Sequence, residues 1–402
     1  MTTFADLGIT EALCEVLAKQ GLNKPTEIQE KTIGKVLAGQ NLVGQAPTGT
    51  GKTLAYLLPA LQQIDPEIRQ AQVLILAPTY ELAMQIANVA RELSQQAGLG
   101  IKVQGIIGGA NIARQIDKLK EKPQLIVGSA GRIIELSRKG KLKLQQVKLL
   151  VLDEFDRLLD DQNLDNTVET VKLLPKDRQV ILFSATAPKK AMDRAEFLES
   201  PEHIVVKEDM AAREARENYY LMTPFRDKIE NVRKLTRNLG VKRGLVFINR
   251  VFDAEKTLAH LQYDGIRAAS LLGHQNKQAR QKAIADLKKG KVQLLLSTDL
   301  AARGLDIEGV DYVFNLDLPD DAQTYQHRAG RTARAGAKGT VVTLADIKEA
   351  YKLEQLEKRL GITFKPIKKA KGQAKPQAEK KKKNRPYKAY DKKASHKKPG
   401  AN

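Results

Sequence analysis

The chain has 402 residues, of which 42% are hydrophobic and 29% charged, and it carries a formal net charge of +21. This length exceeds one ordinary domain, and the composition excludes a wholly disordered chain. Cys14 is the only cysteine, which excludes an internal disulfide and a zinc site built from cysteines. No apolar run approaches the ~20 residues that span a bilayer, and no signal-peptide pattern opens the chain. We therefore expect a cytoplasmic protein without membrane association.

Short apolar runs alternate with helix-period stretches along most of the chain, which predicts parallel strands covered by helices. The predicted strands of the first half are Asn41–Ala46, Val73–Ala77, Leu125–Val127, Leu149–Leu152 and Val180–Phe183. Those of the second half are Gly244–Ile248, Val292–Ser297, Tyr312–Leu316 and Thr340–Leu344. Helices are predicted between them, including Ala254–Asp264 and Lys277–Lys288. The pattern indicates an α/β fold with two parallel sheets.

Composition shifts divide this α/β chain into parts. A charged stretch without apolar periodicity predicts a linker at 207–217, between a first lobe at 1–206 and a second lobe at 218–366. A helix over Asp346–Leu360 is predicted to close the second lobe and to stop at Gly361. We expect this helix to bury one apolar stripe, formed by Ile347, Ala350, Tyr351, Leu356 and Leu360.

The last segment, residues 367–402, holds thirteen lysines and one arginine against two acids, a net charge of +12. It has no apolar periodicity, so we predict a disordered basic tail. A polyanion is the expected partner, because each phosphate neutralised by Lys or Arg releases a counterion. The alternatives are a tail that only solubilises the protein and, for Lys380–Arg385, a nuclear import signal.

A glycine-rich segment follows the first predicted strand directly. Its sequence is Ala46-Pro47-Thr48-Gly49-Thr50-Gly51-Lys52-Thr53. Glycines let backbone N–H groups curl round phosphate oxygens, while a lysine reaches the β and γ phosphates and a threonine hydroxyl binds Mg²⁺. The segment therefore predicts a phosphate loop for ATP, with Thr53 as a Mg²⁺ ligand; a chance match in a surface loop is the alternative.

The strand Leu149–Leu152 runs into the acidic sequence Asp153-Glu154-Phe155-Asp156. Carboxylates at the end of a buried strand are costly unless they have a function. Asp153 is predicted to hold Mg²⁺ through a water, and Glu154 to orient and deprotonate the attacking water. The alternative is a helix N-terminus that favours acids.

Other polar clusters lie at predicted strand ends. Ser184-Ala185-Thr186 and Ser297-Thr298-Asp299 each end an apolar run, and open α/β sheets bind ligands at the carboxyl ends of their strands. In the second half, Arg328, Arg331 and Arg334 recur at three-residue spacing, which predicts one face of a helical turn. Such a face could meet a triphosphate held by the other lobe, or it could be an RNA-phosphate patch or a set of surface ion pairs.

Taken together, these segments resemble the DEAD-box family of RNA helicases over about residues 4–366. The resemblance implies two tandem RecA-like parallel-sheet domains. Phe4 and Gly21–Gln29 resemble the family's adenine-reading element, in which Gln29 would select ATP, and Asp306 resembles the residue that contacts the ribose. The implied nucleotide contacts are Phe4, Thr26, Gln29, Ala46, Thr48, Gly49, Thr50, Gly51, Lys52, Thr53 and Asp306.

The resemblance also implies roles for residues outside the nucleotide contacts. Catalytic groups would be Lys52, Asp153, Glu154 and the arginine fingers Arg331 and Arg334. RNA would be held by Pro78, Thr79, Gly108, Gly109, Gly131 and Arg132 of the first lobe and by Gly273, Arg280 and Thr298 of the second. Coupling of hydrolysis to strand separation would involve Asp156, Ser184, Thr186, His327 and Arg328.

Several positions depart from the family's usual pattern. They are Tyr80 for Arg, Ser129-Ala130 for Thr-Pro, Phe155 for Ala, Leu272 for His, Lys277 for Gln, Ala329 for Ile and Ala333 for Gly. Asp153, Glu154 and Asp156 are retained, so we expect ATP hydrolysis to survive. The departures bear on how RNA stimulates hydrolysis and on unwinding.

The expected function is ATP-dependent remodelling of structured RNA, with ATP and Mg²⁺ as cofactors. We expect a monomer that contacts RNA largely without base specificity, and ribosomal RNA or pre-ribosomal particles are the expected targets by family analogy. Two alternatives remain open: an RNA clamp or chaperone with little unwinding, and a DNA translocase on the same two-lobed plan.

Overall fold

The protein is described from a computed structural model, which covers residues 2–207, 215–249, 251–272, 275, 277–302, 309–333 and 337–367. The chain up to Pro366 is one compact unit. Within it, the secondary structure forms two lobes, each built on a seven-stranded sheet. The predicted α/β fold with two parallel sheets is confirmed.

The first lobe is built on one parallel sheet, in the spatial order β3-β4-β2-β5-β6-β1-β7. Its strands are β1 Leu42–Gln45, β2 Val73–Leu76, β3 Val103–Ile106, β4 Leu125–Gly128, β5 Leu149–Asp153, β6 Gln179–Ser184 and β7 Glu202–Val205. Its helices are α1 Glu11–Lys19, α2 Glu27–Leu37, α3 Lys52–Gln62, α4 Tyr80–Gln96, α5 Ile112–Leu119, α6 Ala130–Arg138, α7 Phe155–Leu158, α8 Leu164–Lys172 and α9 Lys189–Asp193.

The second lobe repeats this plan, with the order β10-β11-β9-β12-β13-β8-β14. Its strands are β8 Arg216–Met222, β9 Gly244–Phe247, β10 Ala268–Leu271, β11 Leu294–Ser297, β12 Tyr312–Asn315, β13 Gly339–Ala345 and β14 Lys365–Pro366. Its α-helices are α10 Lys228–Asn238, α11 Val251–Tyr263, α12 Lys277–Lys288, α13 Asp299–Ala302, α14 Ala322–Ala329 and α15 Ala350–Leu360, with short 3₁₀ helices at Phe225–Asp227 and Ile347–Glu349.

Central strands are buried on both faces, as their apolar runs predict. Along β2, Ile75 packs into one core cluster of the first lobe, while Leu74 and Leu76 pack into the other. Successive side chains of a strand point to opposite faces, so the two clusters lie on the two sides of the sheet. The strands therefore leave only their ends and the connecting loops for ligands, and open α/β sheets usually bind ligands at the carboxyl ends.

Five strands were not predicted from the sequence: β3, β7, β8, β10 and β14. β3 and β10 are edge strands of their sheets, and β7 and β14 form the opposite edges. β7 is largely exposed and β14 has only two residues, so neither carries an apolar run. β8 begins at Arg216, so the last two residues of the predicted linker lie in a strand; residues 208–214 lie outside the described residues.

The predicted stripe of the closing helix is partly wrong. Ile347 lies in a 3₁₀ helix and is 81% exposed, and Tyr351 is 57% exposed. The face that α15 buries is instead centred on Leu353 and Leu356. Gly361 ends the helix in the left-handed conformation, with φ of 59°, as predicted. The predicted disordered tail lies outside the described residues apart from Ile367.

Candidate active site between the two lobes

The phosphate loop lies between β1 and α3, and two of its glycines adopt positive φ angles. Gly49 has φ of 82° and Gly51 has φ of 89°, a conformation that favours glycine. Lys52 Nζ donates hydrogen bonds to the carbonyl oxygens of Ala46 at 2.6 Å and Pro47 at 2.8 Å. Burial lowers the pKa of Lys52 to about 8, although the carboxylates of Asp153 and Glu154 oppose the shift. An anion in the loop would favour the charged form of Lys52.

The N-terminus of α2 hydrogen-bonds to the phosphate loop. Gln29 Nε2 donates to Gly51 O at 3.0 Å, and its Oε1 accepts from the Thr26 backbone N–H at 2.9 Å. Thr26 Oγ1 donates to Thr50 O at 2.7 Å. A Cβ atom at Gly51 would lie 2.4 Å from Gln29 Nε2, so the loop glycine allows this contact. Phe4 is buried in the core of the first lobe.

The acidic pair follows β5 at the carboxyl edge of the sheet, beside the phosphate loop. Asp153 Oδ2 accepts a hydrogen bond from Tyr56 Oη at 2.8 Å, and Oδ1 accepts from the Glu154 backbone N–H at 3.0 Å. Burial raises the pKa of Asp153. Burial, together with the charge of Asp153, raises the pKa of Glu154 to about 7. Glu154 has φ of 53°, and its buried Oε2 has no hydrogen-bond partner among the described residues.

The donor set fits a Mg²⁺ ion that is shared with a nucleotide. Asp153, Glu154 and Thr53 line the same cavity and offer hard oxygen atoms, the ligands that Mg²⁺ prefers. Among the described residues there is no group of three or more His, Cys, Asp or Glu side chains that could hold a metal. Mg²⁺ is commonly bound by one or two carboxylates together with substrate phosphates, so a small protein donor set is what such a site requires.

Asp156 collects hydrogen bonds from both lobes. Ser184 Oγ donates to Oδ1 at 2.7 Å, and Thr186 Oγ1 donates to Oδ2 at 2.8 Å. From the second lobe, Gln323 Nε2 donates to Oδ2 at 2.5 Å, and His327 Nε2 lies 3.9 Å from the same oxygen. Gln323 was missed by sequence reasoning; it precedes His327 by four residues in α14, a spacing that places both on one helix face.

The second lobe closes the cavity over the phosphate loop. His327 and Arg331 line a cavity of about 290 Å³ together with Thr48, Lys52 and Glu154 of the first lobe. Gly330 O accepts a hydrogen bond from Thr48 Oγ1 at 3.2 Å. The phosphate loop, the acidic pair and one predicted arginine finger are therefore brought together in a single cavity.

The prediction that the arginines share one face of a helical turn is wrong for Arg328 and Arg331. α14 ends at Ala329, so Arg331 lies beyond the helix and faces the cavity. Arg328 is buried inside the second lobe, where its guanidinium pairs with Asp299 at 2.6 Å and donates to Asn249 Oδ1 at 2.8 Å. The structure does not bring Arg328 to Asp156. The predicted sites Arg334, Asp306 and Gly273 lie outside the described residues.

The residues predicted to hold RNA lie beyond the carboxyl ends of neighbouring strands. Pro78 and Thr79 follow β2, Gly108 and Gly109 follow β3, and Gly131 and Arg132 follow β4; these three strands are adjacent in the sheet. The Ser129 hydroxyl accepts a hydrogen bond from the Gly108 N–H at 3.3 Å, which ties two of these segments together. Thr298 follows β11 in the second lobe. Arg280, expected on RNA, forms an ion pair with Glu81 of the first lobe at 2.9 Å.

Phe155, the departure in the acidic motif, is fully buried in a core cluster of the first lobe. Its ring therefore fills the core behind the acidic pair and does not line the cavity. No helix among the described residues is long and apolar enough to cross a membrane.

Comparison with known proteins agrees with this geometry. A family model described as DEAD/DEAH box helicase matches residues 26–195, and one described as helicase conserved C-terminal domain matches residues 227–336. The DEAD-box ATP-dependent RNA helicase CshC of Bacillus cereus is 41% identical over 91% of this chain and 94% of its own length. The probable ATP-dependent RNA helicase YfmL of Bacillus subtilis is 40% identical over 85% of this chain and 90% of its own length.

A solved structure is similar over nearly the same span. Dbp5 of Saccharomyces cerevisiae, bound to RNA and ADP BeF3, superposes with a TM-score of 0.82 at 30% identity and covers 91% of this chain and 96% of that one.

Proposed function

The chain belongs to the DEAD/DEAH box helicase family, and we propose on that basis that it is an ATP-dependent RNA helicase that remodels structured RNA. The observation that carries the proposal is the cavity between the lobes. One lobe contributes the phosphate loop and the acidic pair, and the other contributes Arg331. An active site completed by two lobes couples hydrolysis to their closure.

Each group in the cavity has a distinct task in phosphoryl transfer. The phosphate loop with Lys52 holds the triphosphate, and Arg331 stabilises charge that develops on the transferred phosphate; an arginine supplied across an interface is worth about 10³–10⁵-fold in rate. Glu154 accepts a proton from the attacking water. Glu154 lines the cavity, and its Oε2 has no hydrogen-bond partner among the described residues. Its raised pKa suits a base that works near neutral pH. Mg²⁺, when bound by Asp153 and Thr53, would neutralise phosphate charge.

RNA binding extends the same arrangement. We place the RNA backbone on the loops after β2, β3 and β4, and on Thr298 of the second lobe. An RNA strand held across both lobes at once is bent away from duplex geometry when the lobes close. This bending separates short RNA duplexes locally. Contacts to phosphates and 2′-hydroxyls give preference for RNA without base sequence. The basic segment 367–402 would raise the local concentration of RNA.

The clamp alternative is not favoured, because Lys52, Glu154 and Arg331 are retained and line one cavity. The burial of Phe155 in the core supports intact hydrolysis with the altered acidic motif. The further parts of the proposal are Mg²⁺ as the metal, a monomeric state, a cytoplasmic location and action on ribosomal RNA or pre-ribosomal particles. They rest on the donor set and on the bacterial relatives.

The test is the ATPase rate with and without a structured RNA, for the natural protein and for Glu154→Gln. We expect RNA-stimulated turnover that Glu154→Gln abolishes while ATP binding is retained. Glu121→Gln, an exposed residue of the first lobe, is the matched control and should leave the rate unchanged. Stimulation by single-stranded DNA equal to that by RNA would favour a DNA translocase, and ATP binding without turnover under any RNA would favour a clamp.

A further inference from the structure

A second cavity, of about 570 Å³, lies on the second lobe and belongs to a different edge of the sheet from the active site. Its lining comes from the segments that precede β9, β10 and β11, so it lies at the amino edge of these strands. Six of its lining residues are cationic and none is acidic: Arg237, Lys242, Arg243, Arg267, Lys288 and Lys289. We name this feature the amino-edge pocket.

Two cations of the amino-edge pocket are oriented by backbone carbonyl groups, and none of the six is paired with a carboxylate of the described residues. Arg267 Nη1 donates to Gly290 O at 3.0 Å, and Arg237 Nη2 donates to Asp264 O. The Arg243 guanidinium packs against the backbone of Gly309, 2.7 Å from where a Cβ atom would lie. Within the described ranges no ion pair involves any of the six side chains. The neighbouring Asp264 side chain is paired with Arg233 at 3.6 Å, and that of Asp311 accepts from the Arg243 backbone N–H.

A purely structural explanation accounts for only part of this charge. Helices α10 and α12 end at the pocket, and cations are favourable near helix C-termini. Each terminus corresponds to roughly half a negative charge, so two of them offset about one of the six positive charges. About five remain, converging on one cavity. Their mutual repulsion is relieved when an anion of high charge density binds there.

We propose that the amino-edge pocket is an auxiliary binding site for a chain of phosphates, and specifically for the phosphodiester backbone of RNA. This RNA extends beyond the cleft between the lobes, by which we mean the loops after β2, β3 and β4 together with Thr298. Several cations on separate segments suit a ligand that carries one charge per residue along its length. The inference rests on the proposed helicase function, since RNA is the polyanion that such a protein meets. The site lies at the opposite ends of β9 and β11 from the cleft, so only a long RNA reaches both.

The test uses the full-length chain with Lys242→Glu and Lys289→Glu combined. Both side chains are exposed, so the substitutions should not disturb folding. The matched control is Lys352→Glu with Lys358→Glu, two exposed residues of α15 that change the net charge of the same lobe equally. The measurements are binding of a long structured RNA and of a short single-stranded RNA that fills only the cleft, each over a range of salt concentrations.

The pocket variant should bind the long RNA about tenfold more weakly at low salt, and the slope of log affinity against log salt should fall by about 1.5, since each lost phosphate contact contributes about 0.7–0.9. Binding of the short RNA and the ATPase rate that it stimulates should match the natural protein. Equal loss in the control variant would overturn the proposal, because it would show a general charge effect.

A free polyphosphate is the alternative ligand, because it carries the same chain of phosphate charges. Binding of inorganic tripolyphosphate, measured while a non-hydrolysable ATP analogue saturates the ATP site, tests whether the pocket takes this ligand instead of RNA. Tight binding of tripolyphosphate that the pocket variant loses, with unchanged affinity for long RNA, would overturn the RNA assignment. Failure of the helicase proposal has a different signature, because the natural protein itself would then show no RNA-stimulated turnover.

Discussion

A Cβ atom added at Gly330 would lie 2.1 Å from Thr48 Oγ1, across the boundary between the lobes. The backbone of Gly330 has an ordinary φ of −67°, which any residue adopts. The absence of a side chain is therefore required mainly by the approach of the other lobe and less by the conformation of the second lobe. Its carbonyl oxygen accepts a hydrogen bond from the same threonine at 3.2 Å.

Gly330→Ala should therefore disfavour closure while both lobes stay folded. Overpacking of this kind costs about 1–3 kcal/mol, which corresponds to about a 5- to 150-fold loss of RNA-stimulated turnover. Fluorescence energy transfer between dyes on the two lobes would report closure, and thermal unfolding would report folding. Gly34→Ala is the control, because a Cβ atom there meets nothing within 4 Å. Full closure with Gly330→Ala would contradict the steric requirement.

Tyr56 is a positioning residue for the acidic pair. It is fully buried and donates to Asp153 Oδ2 at 2.8 Å. Tyr56→Phe removes the one side-chain hydrogen-bond donor that this carboxylate has among the described residues, and a buried acceptor left unpaired costs about 1–3 kcal/mol. We expect a lower midpoint of urea unfolding and a higher Mg²⁺ concentration for half-maximal nucleotide binding. Tyr263→Phe, at a side chain that is 93% exposed, should change neither quantity.

The Arg280–Glu81 ion pair joins the lobes at 2.9 Å, and each side chain is 13% exposed. A double-mutant cycle with Arg280→Ala and Glu81→Ala should give a coupling energy above about 1 kcal/mol for closure, since removing one partner leaves a largely buried charge. The Arg138–Glu169 pair is within the first lobe and much more exposed, so its cycle should give less than about 1 kcal/mol. Additive effects of the two interlobe substitutions would show that the pair does not hold the lobes together.

Burial lowers the pKa of His327 to about 4; Asp156 raises it, while Arg331, Lys52 and Arg157 lower it further. In separated lobes an exposed histidine has a pKa of about 6.5. The closed form therefore prefers neutral His327. The contribution of this preference to the stability of the closed form is fully present above pH 6.5 and is lost as the pH falls toward 4.

RNA-stimulated turnover should thus decline more steeply between about pH 6.5 and 5.5 in the natural protein than in His327→Gln. Glu154, whose pKa is raised to about 7, titrates in both proteins, so the difference between the two profiles isolates His327. Identical pH profiles would mean that His327 does not change its protonation with closure.

The central strands and the phosphate loop were predictable because their signals are local. An apolar run long enough for a buried strand, followed directly by glycines and Lys52 or by Asp153 and Glu154, places polar groups at a strand end wherever the strand lies in the sheet. The parallel arrangement of successive strand–helix units then places all such ends on one edge. Two edge strands lack this apolar signal for different reasons. β7 carries Glu202 at an exposed position, whereas Gln104 in β3 is buried and donates a hydrogen bond to Gln115 O.

The contacts between the lobes depended on tertiary structure. Thr48 and Gly330 are 282 residues apart in sequence, and Gln323 and Asp156 are 167 apart. No periodicity within one segment indicates which distant residue will approach it. The three-residue spacing of Arg328 and Arg331 did not indicate where their side chains lie, because α14 ends between them. The Arg328 side chain is buried in the second lobe, whereas Arg331 lines the cavity with the phosphate loop. Local spacing determined the chemistry that each strand end offers, while the packing of two lobes decided which of these groups meet.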